Sequence, residues 1–193
     1  MNWLITTLRN RANTVLNRIA LALDNLGFTP NMLTVIGFIF AVMAGILFYM
    51  GINWMFTYII APFLILLSGL MDALDGPLAR LGKVSKFGGI LDSTFDRLGE
   101  ILIFSGIILG ELVSPFWGII AISFSLMVSY VRARAEVENV KMESVGIAER
   151  PERMLILIIS SFLGLIDYGV ALIAILTVIT FIQRIVHAYR NVR

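Results

Sequence analysis

Apolar residues at Leu4, Ile5, Leu8, Ala12, Val15, Leu16, Ile19, Leu23 and Leu26, with Arg9, Asn10, Asn13, Asn17 and Arg18 between them, recur at helical spacing over residues 1–27. The stripe is too polar to cross a bilayer. It predicts an amphipathic juxtamembrane helix, lying on the membrane surface with its arginines toward anionic headgroups or packed on the rest of a bundle. Gly27-Phe28-Thr29-Pro30-Asn31 breaks it, and Thr29 before Pro30 suits the cap of a new helix. Long apolar runs follow at 31–50, 54–75, 88–110, 115–134, 152–166 and 169–189, most of them near the ~20 residues that span a membrane. The chain therefore reads as an all-α integral membrane protein: the helix over 1–27, then a domain of six transmembrane helices over 28–193. Short connections at Met50–Asn53, Gly110–Ser114 and Gly164–Gly169 make successive helices antiparallel neighbours.

Charge adds an orientation. With six spans and both termini on one side, all 15 Lys and Arg residues fall on or near that side, while Glu111 and Asp167 decorate the other. By the positive-inside rule the termini, the Arg80–Lys86 loop and the Arg132–Arg153 segment are cytoplasmic, and the chain is a multi-pass protein of the cell membrane. A net charge of +2 gives no reason to expect a nucleic-acid partner. With no cysteine, disulfides and thiolate chemistry are excluded, and a metal would be held by oxygen or by the lone His187.

The stretch Met71–Arg97 departs from this apolar background. Asp72 and Asp75 lie three apart, and Asp92 and Asp96 four apart, at the cytoplasmic ends of the second and third runs. On helices each pair projects from one face. Gly76, Ala79 and Gly88 sit beside the acids and leave room for a bulky group. Ionisable residues near bilayer depth are costly and normally face a bundle interior or a wet cavity. Four clustered carboxylates repel one another, so a cation belongs among them. Oxygen ligands without Cys or paired His favour Mg²⁺ or Mn²⁺, and two such ions suit a pyrophosphate. Pairing with Arg80, Lys83, Lys86 and Arg97 is the structural alternative. A divalent-cation transporter is the alternative of another class, although its site would lie near the midplane rather than at one face.

The pattern Asp72-x-x-Asp75-Gly76-x-x-Ala79-Arg80, seven residues, Gly88-x-x-x-Asp92-x-x-x-Asp96 resembles the signature of the CDP-alcohol phosphotransferases. The resemblance implies transfer of a phosphatidyl or similar group from a CDP-linked lipid to an alcohol, with release of CMP. It makes Asp72, Asp75, Asp92 and Asp96 metal ligands, with Asp96 also the base for the acceptor hydroxyl. Asp72, Gly76, Ala79, Arg80 and Gly88 are then expected at the cytidine diphosphate site, joined by Asn31 and Thr34 at the entry to the first span. A homodimer is also implied. Gly37, Ala41 and Gly45 at four-residue spacing would permit a close helix contact, within the chain or between protomers.

A second constellation bears on the acceptor. Ser129, Arg132 and Arg134 in Ser129-Tyr-Val-Arg-Ala-Arg-Ala-Glu136, Arg150 and Arg153 in Glu149-Arg-Pro-Glu-Arg153, and Arg184 within the last run form a cationic group suited to phosphate oxygens. Arg132 and Arg134, two apart, cannot both face one pocket. These segments resemble the subgroup that makes phosphatidylinositol phosphate or archaetidylinositol phosphate, which implies inositol 1-phosphate as acceptor and CDP-diacylglycerol or CDP-archaeol as donor. Phosphatidylglycerophosphate or archaetidylglycerophosphate synthesis is the competing expectation.

Overall fold

The computed structural model describes residues 2–51, 53–82, 84–142 and 144–192, with side chains from residue 13 onward. The described residues form α-helices and no strand: α1 (Asn2–Asn25), α2 (Pro30–Met50), α3 (Ala61–Ala79), α4 (Lys86–Leu109), α5 (Pro115–Val137), α6 (Arg150–Phe162) and α7 (Ile166–Asn191). A π-helical segment, Phe56–Ile60, leads directly into α3. Pro62 explains it, because its missing N–H removes one donor from the regular ladder at this point.

Local signals fix the helix starts nearest the acids. Thr29 accepts a hydrogen bond from the Met32 N–H at 3.3 Å with Pro30 next in line. Ser85 does the same for α4, accepting from the Gly88 N–H at 2.8 Å.

Helices α2 to α7 close into a ring in which α2 lies between α3 and α4, α5 joins α4 to α7, and α6 joins α7 back to α3. Phe48, Ile65, Phe104, Ile107, Leu157 and Ile173 fill its core. The tightest seam is between α2 and α4. A Cβ added at Gly106 would lie 2.0 Å from the Gly45 carbonyl oxygen, and one at Gly45 would lie 2.6 Å from that of Leu102. Gly37 faces Ser68 and Met71 of α3, and Ala41 meets Gly99. The small-residue stripe of α2 is therefore used inside the chain. Helix α1 packs on the outside of α3, where Ala20 joins Leu33, Leu74 and Leu78, flanked by Leu16 and Leu23. Of the two expectations for α1, packing on the bundle is observed.

Among the described residues, four helices are long and apolar enough to cross a membrane: Pro30–Met50, Phe56–Ala79, Pro115–Val137 and Ile166–Asn191. Helices α4 and α6 fall outside that set for two physical reasons. Helix α4 has the length, at 24 residues, but carries Lys86, Asp92, Asp96, Arg97 and Glu100. Helix α6 has only 13 residues, about 20 Å at 1.5 Å per residue, against a hydrocarbon core of about 30 Å.

Candidate functional site

The last turns of α3 and the first turns of α4 bring the acids together beside the start of α2. Asp72, Asp92 and Asp96 each place a carboxylate oxygen within 4.8 Å of the others. Asp75 stands on the α2 side, where its Oδ2 accepts from the Thr34 hydroxyl at 3.4 Å. Part of the charge is met by arginine. Arg150 Nη1 reaches Asp96 Oδ1 at 2.8 Å and Asp72 Oδ2 at 3.1 Å, and Arg97 approaches Asp96 at 3.6 Å. The structural pairing expected from Arg97 is thus present. Lys83 lies outside the described residues. The donor set is all oxygen and close enough to converge on one point, which fits a hard divalent cation such as Mg²⁺ or Mn²⁺.

Three clefts open from this cluster. One, about 160 Å³, is lined by Asn31, Thr34, Asp75, Gly76, Ala79, Gly88 and Asp92 among others. Arg80 is exposed at the end of α3 and is not among its lining residues. The small residues are needed here. A Cβ at Gly88 would lie 2.8 Å from both the Asn31 amide oxygen and the Ser85 hydroxyl. A second cleft, about 380 Å³ and mostly apolar, runs between α3 and α6 from Asp72 and Arg150 past Leu66, Leu70 and Leu155. The third, about 230 Å³, is lined by Asp72, Asp96, Ser129, Arg132, Glu149, Arg150, Arg153 and Arg184 among others.

The arginines differ in what they already hold. Arg150 is half-buried and faces the acids. Arg132 lines the third cleft while pairing with Glu136 one turn on, at 2.9 Å. Arg134 is exposed, pairs with Glu138 on the same helix, and does not line the cleft. The two-residue offset on α5 puts Arg132, and not Arg134, along the cleft. Arg153 is buried at the base of the cleft, with Nε and Nη2 on Glu100 and Nη1 on the Ala148 carbonyl. Arg184 donates to the carbonyls of Val145 and Val128 and to Glu149. Glu149 therefore pairs with Arg184. His187 contacts the Lys141 carbonyl oxygen at 3.1 Å, away from the acids.

Residues 28–186 match the CDP-alcohol phosphatidyltransferase family. The chain belongs to this family. Archaetidylinositol phosphate synthase of Pyrococcus horikoshii is 43% identical over 189 residues, covering 97% of this chain and 98% of the relative. Phosphatidylinositol phosphate synthase of Cutibacterium acnes is 41% identical over 155 residues, covering 76% of this chain and 72% of the relative. Among solved structures, Mycobacterium tuberculosis phosphatidylinositol phosphate synthase with CDP-DAG bound is similar at a TM-score of 0.78 and 27% identity, over 91% of this chain and 94% of that one. The same enzyme in complex with manganese and citrate matches at 0.78 and 29% identity, over 90% and 88%.

Two residues with evident structural work in this family member escaped the sequence reading. Glu100 continues the α4 stripe of Asp92 and Asp96 at four-residue spacing, and that continuation was the signal available. Thr180 accepts from the Ile147 and Ala148 N–H groups at 3.3 and 3.1 Å, tying the α5–α6 connection to α7. A threonine in an apolar helix carries no such signal.

Proposed function

We propose that this protein transfers a phosphatidyl or archaetidyl group from a CDP-linked lipid to inositol 1-phosphate and releases CMP. The observation that carries the reading is the convergence of three chemically different clefts on one acid cluster. The cleft walled by Gly76, Ala79 and Gly88 suits a nucleotide, the apolar cleft of α3 and α6 suits the donor's lipid chains, and the arginine-walled cleft suits a phosphorylated acceptor.

Asp72, Asp75, Asp92 and Asp96 would hold Mg²⁺ or Mn²⁺, as two ions, which would supply charge neutralisation at the pyrophosphate and the departing CMP. This chain's residues then divide the remaining work. Asn31 and Thr34 lie along the nucleotide cleft. Arg132, Arg150 and Arg184 orient the acceptor phosphate, and Ser129 lies beside them. As that phosphate engages Arg150, Asp96 is released from its ion pair and its carboxylate takes the proton of the acceptor hydroxyl. The hydroxyl oxygen forms the new bond to the lipid-bearing phosphorus as the bond from that phosphorus to the CMP oxygen breaks.

In this reading α4 and α6 complete six membrane-embedded helices, with both termini and the acids on the cytoplasmic side. The lack of Lys and Arg between Gly106 and Ser129 and between Met154 and Gln183 supports that orientation. The amphipathic segment 1–27 lies at the same surface. A homodimer would use a face other than the α2 glycine stripe, which α3 and α4 occupy.

CMP release with inositol 1-phosphate tests the proposal against glycerol 3-phosphate, the acceptor of the competing phosphatidylglycerophosphate or archaetidylglycerophosphate reading.

A further inference from the structure

Two ion pairs bridge the gap between α4 and α6. Asp96 and Glu100 lie one turn apart on α4, and Arg150 and Arg153 lie one turn apart on α6. The outer rung, Arg150 with Asp96 and Asp72, has side chains 17% to 36% exposed and lines the acceptor cleft. The inner rung is closed. Arg153 and Glu100 have side chains 1% and 4% exposed, joined by parallel bonds of 2.7 and 2.8 Å.

The inner guanidinium is held along its whole fork, since Nη1 also donates to the Ala148 carbonyl at 2.9 Å. Ala148 is itself tied to α7 through its N–H and Thr180. Arg153 thus ties the helix that carries Arg150 to α4 and to the backbone just before it. A buried ion pair of this kind adds little net stability over an apolar pair, but its geometry is demanding. Glu100 is buried and lines none of the three clefts at the acid cluster.

We propose that Glu100 is a positioning residue: by clamping Arg153 it fixes the rotation and depth of the start of α6, and so holds Arg150 against Asp72, Asp96 and the acceptor phosphate. The inner rung is permanent, and the outer rung exchanges its partner when the acceptor arrives. The identity of that acceptor rests on the function proposed above, whereas the coupling of Glu100 to Arg150 does not.

The test is a double-mutant cycle on the full chain in detergent, with Glu100→Gln, Arg150→Ala and the double variant. It reads KM for inositol 1-phosphate, KM for the CDP-lipid, and inositol 1-phosphate binding by calorimetry without donor. Glu100→Gln is expected to weaken acceptor binding and raise acceptor KM by about tenfold, with CDP-lipid KM within about twofold. In the Arg150→Ala background the same change is expected to add little, because both substitutions remove one interaction. Full additivity, an unchanged acceptor KM, or an equal rise in both KM values would overturn the proposal.

Glu100→Asp and Arg153→Lys keep the charges, and partial recovery of acceptor KM is expected from each. Loss of the folded protein in all of these variants would overturn positioning in favour of a purely structural pair. Wild-type turnover with another acceptor refutes the inositol phosphate reading alone, and the cycle is then read with that acceptor.

Discussion

At the scale of single residues, the acid cluster and the small residues beside it were legible because spacing on a helix dictates which side chains share a face. Asp92 and Asp96 share a face of α4 and meet Asp72 of α3, whereas Asp75 turns to Thr34 on the α2 side. The arginines were less legible, because a long flexible cation has many partners within reach and sequence does not choose among them. Arg153 and Arg134 were both plausible phosphate ligands. Burial against Glu100 claims one, and the helical offset turns the other to the surface. Two substitutions test the residue roles. Asp96→Asn keeps the shape and removes the base, so turnover is expected to fall by about 10²–10⁴-fold while CDP-lipid binding persists; undiminished CMP release would remove Asp96 from that role. Gly88→Ala would push on Asn31 and Ser85, each 2.8 Å from the new Cβ. CDP-lipid KM is expected to rise several-fold, on the order of 1 kcal/mol, with acceptor KM unchanged.

At the scale of elements, the apolar runs located the helices, and the N-caps at Thr29 and Ser85 set the start of α2 and α4 with recognisable chemistry. What the runs did not reveal is where α6, in a run already short at 152–166, starts and stops. Its apolar stretch begins at a proline-led first turn and ends at Phe162, before Gly164 turns the chain in a left-handed conformation at φ 71°. Nor did they reveal that the α5–α6 connection is laced to one face of α7 by Thr180, Arg184 and His187. These contacts hold Glu149 and the start of α6 in place, so Arg184 orders the loop as well as facing the cleft. Arg184→Ala is expected to speed amide exchange across residues 138–149 and to raise acceptor KM. Faster exchange is the distinguishing readout, since a residue that only touched the phosphate would leave the free protein's exchange unaltered.

At the scale of the whole molecule, the ring depends on the α2–α4 seam, where two glycines allow backbone contact. Gly106→Leu drives a large side chain into the Gly45 backbone, so a loss of several kcal/mol is expected, of the kind that overpacking or forced separation of elements produces. Thermal unfolding in detergent checks it; an unchanged Tm would mean the seam is looser than described. Orientation is open to direct labelling, because the chain has no cysteine of its own. Glu111→Cys and Asp167→Cys are expected to react with an impermeant maleimide from outside intact cells, and Ser85→Cys and Asn139→Cys only after lysis. The central claim, that one acid cluster serves a CDP-lipid on one side and a phosphorylated acceptor on the other, is tested most directly by CMP release from purified protein. The assay supplies a CDP-lipid and Mg²⁺ or Mn²⁺, and compares inositol 1-phosphate, glycerol 3-phosphate, free inositol and serine. Metal-dependent release that favours inositol 1-phosphate is the predicted result. Equal or greater release with free inositol would contradict the arginine-walled acceptor site, and no metal-dependent release with any acceptor from folded protein would contradict the account as a whole.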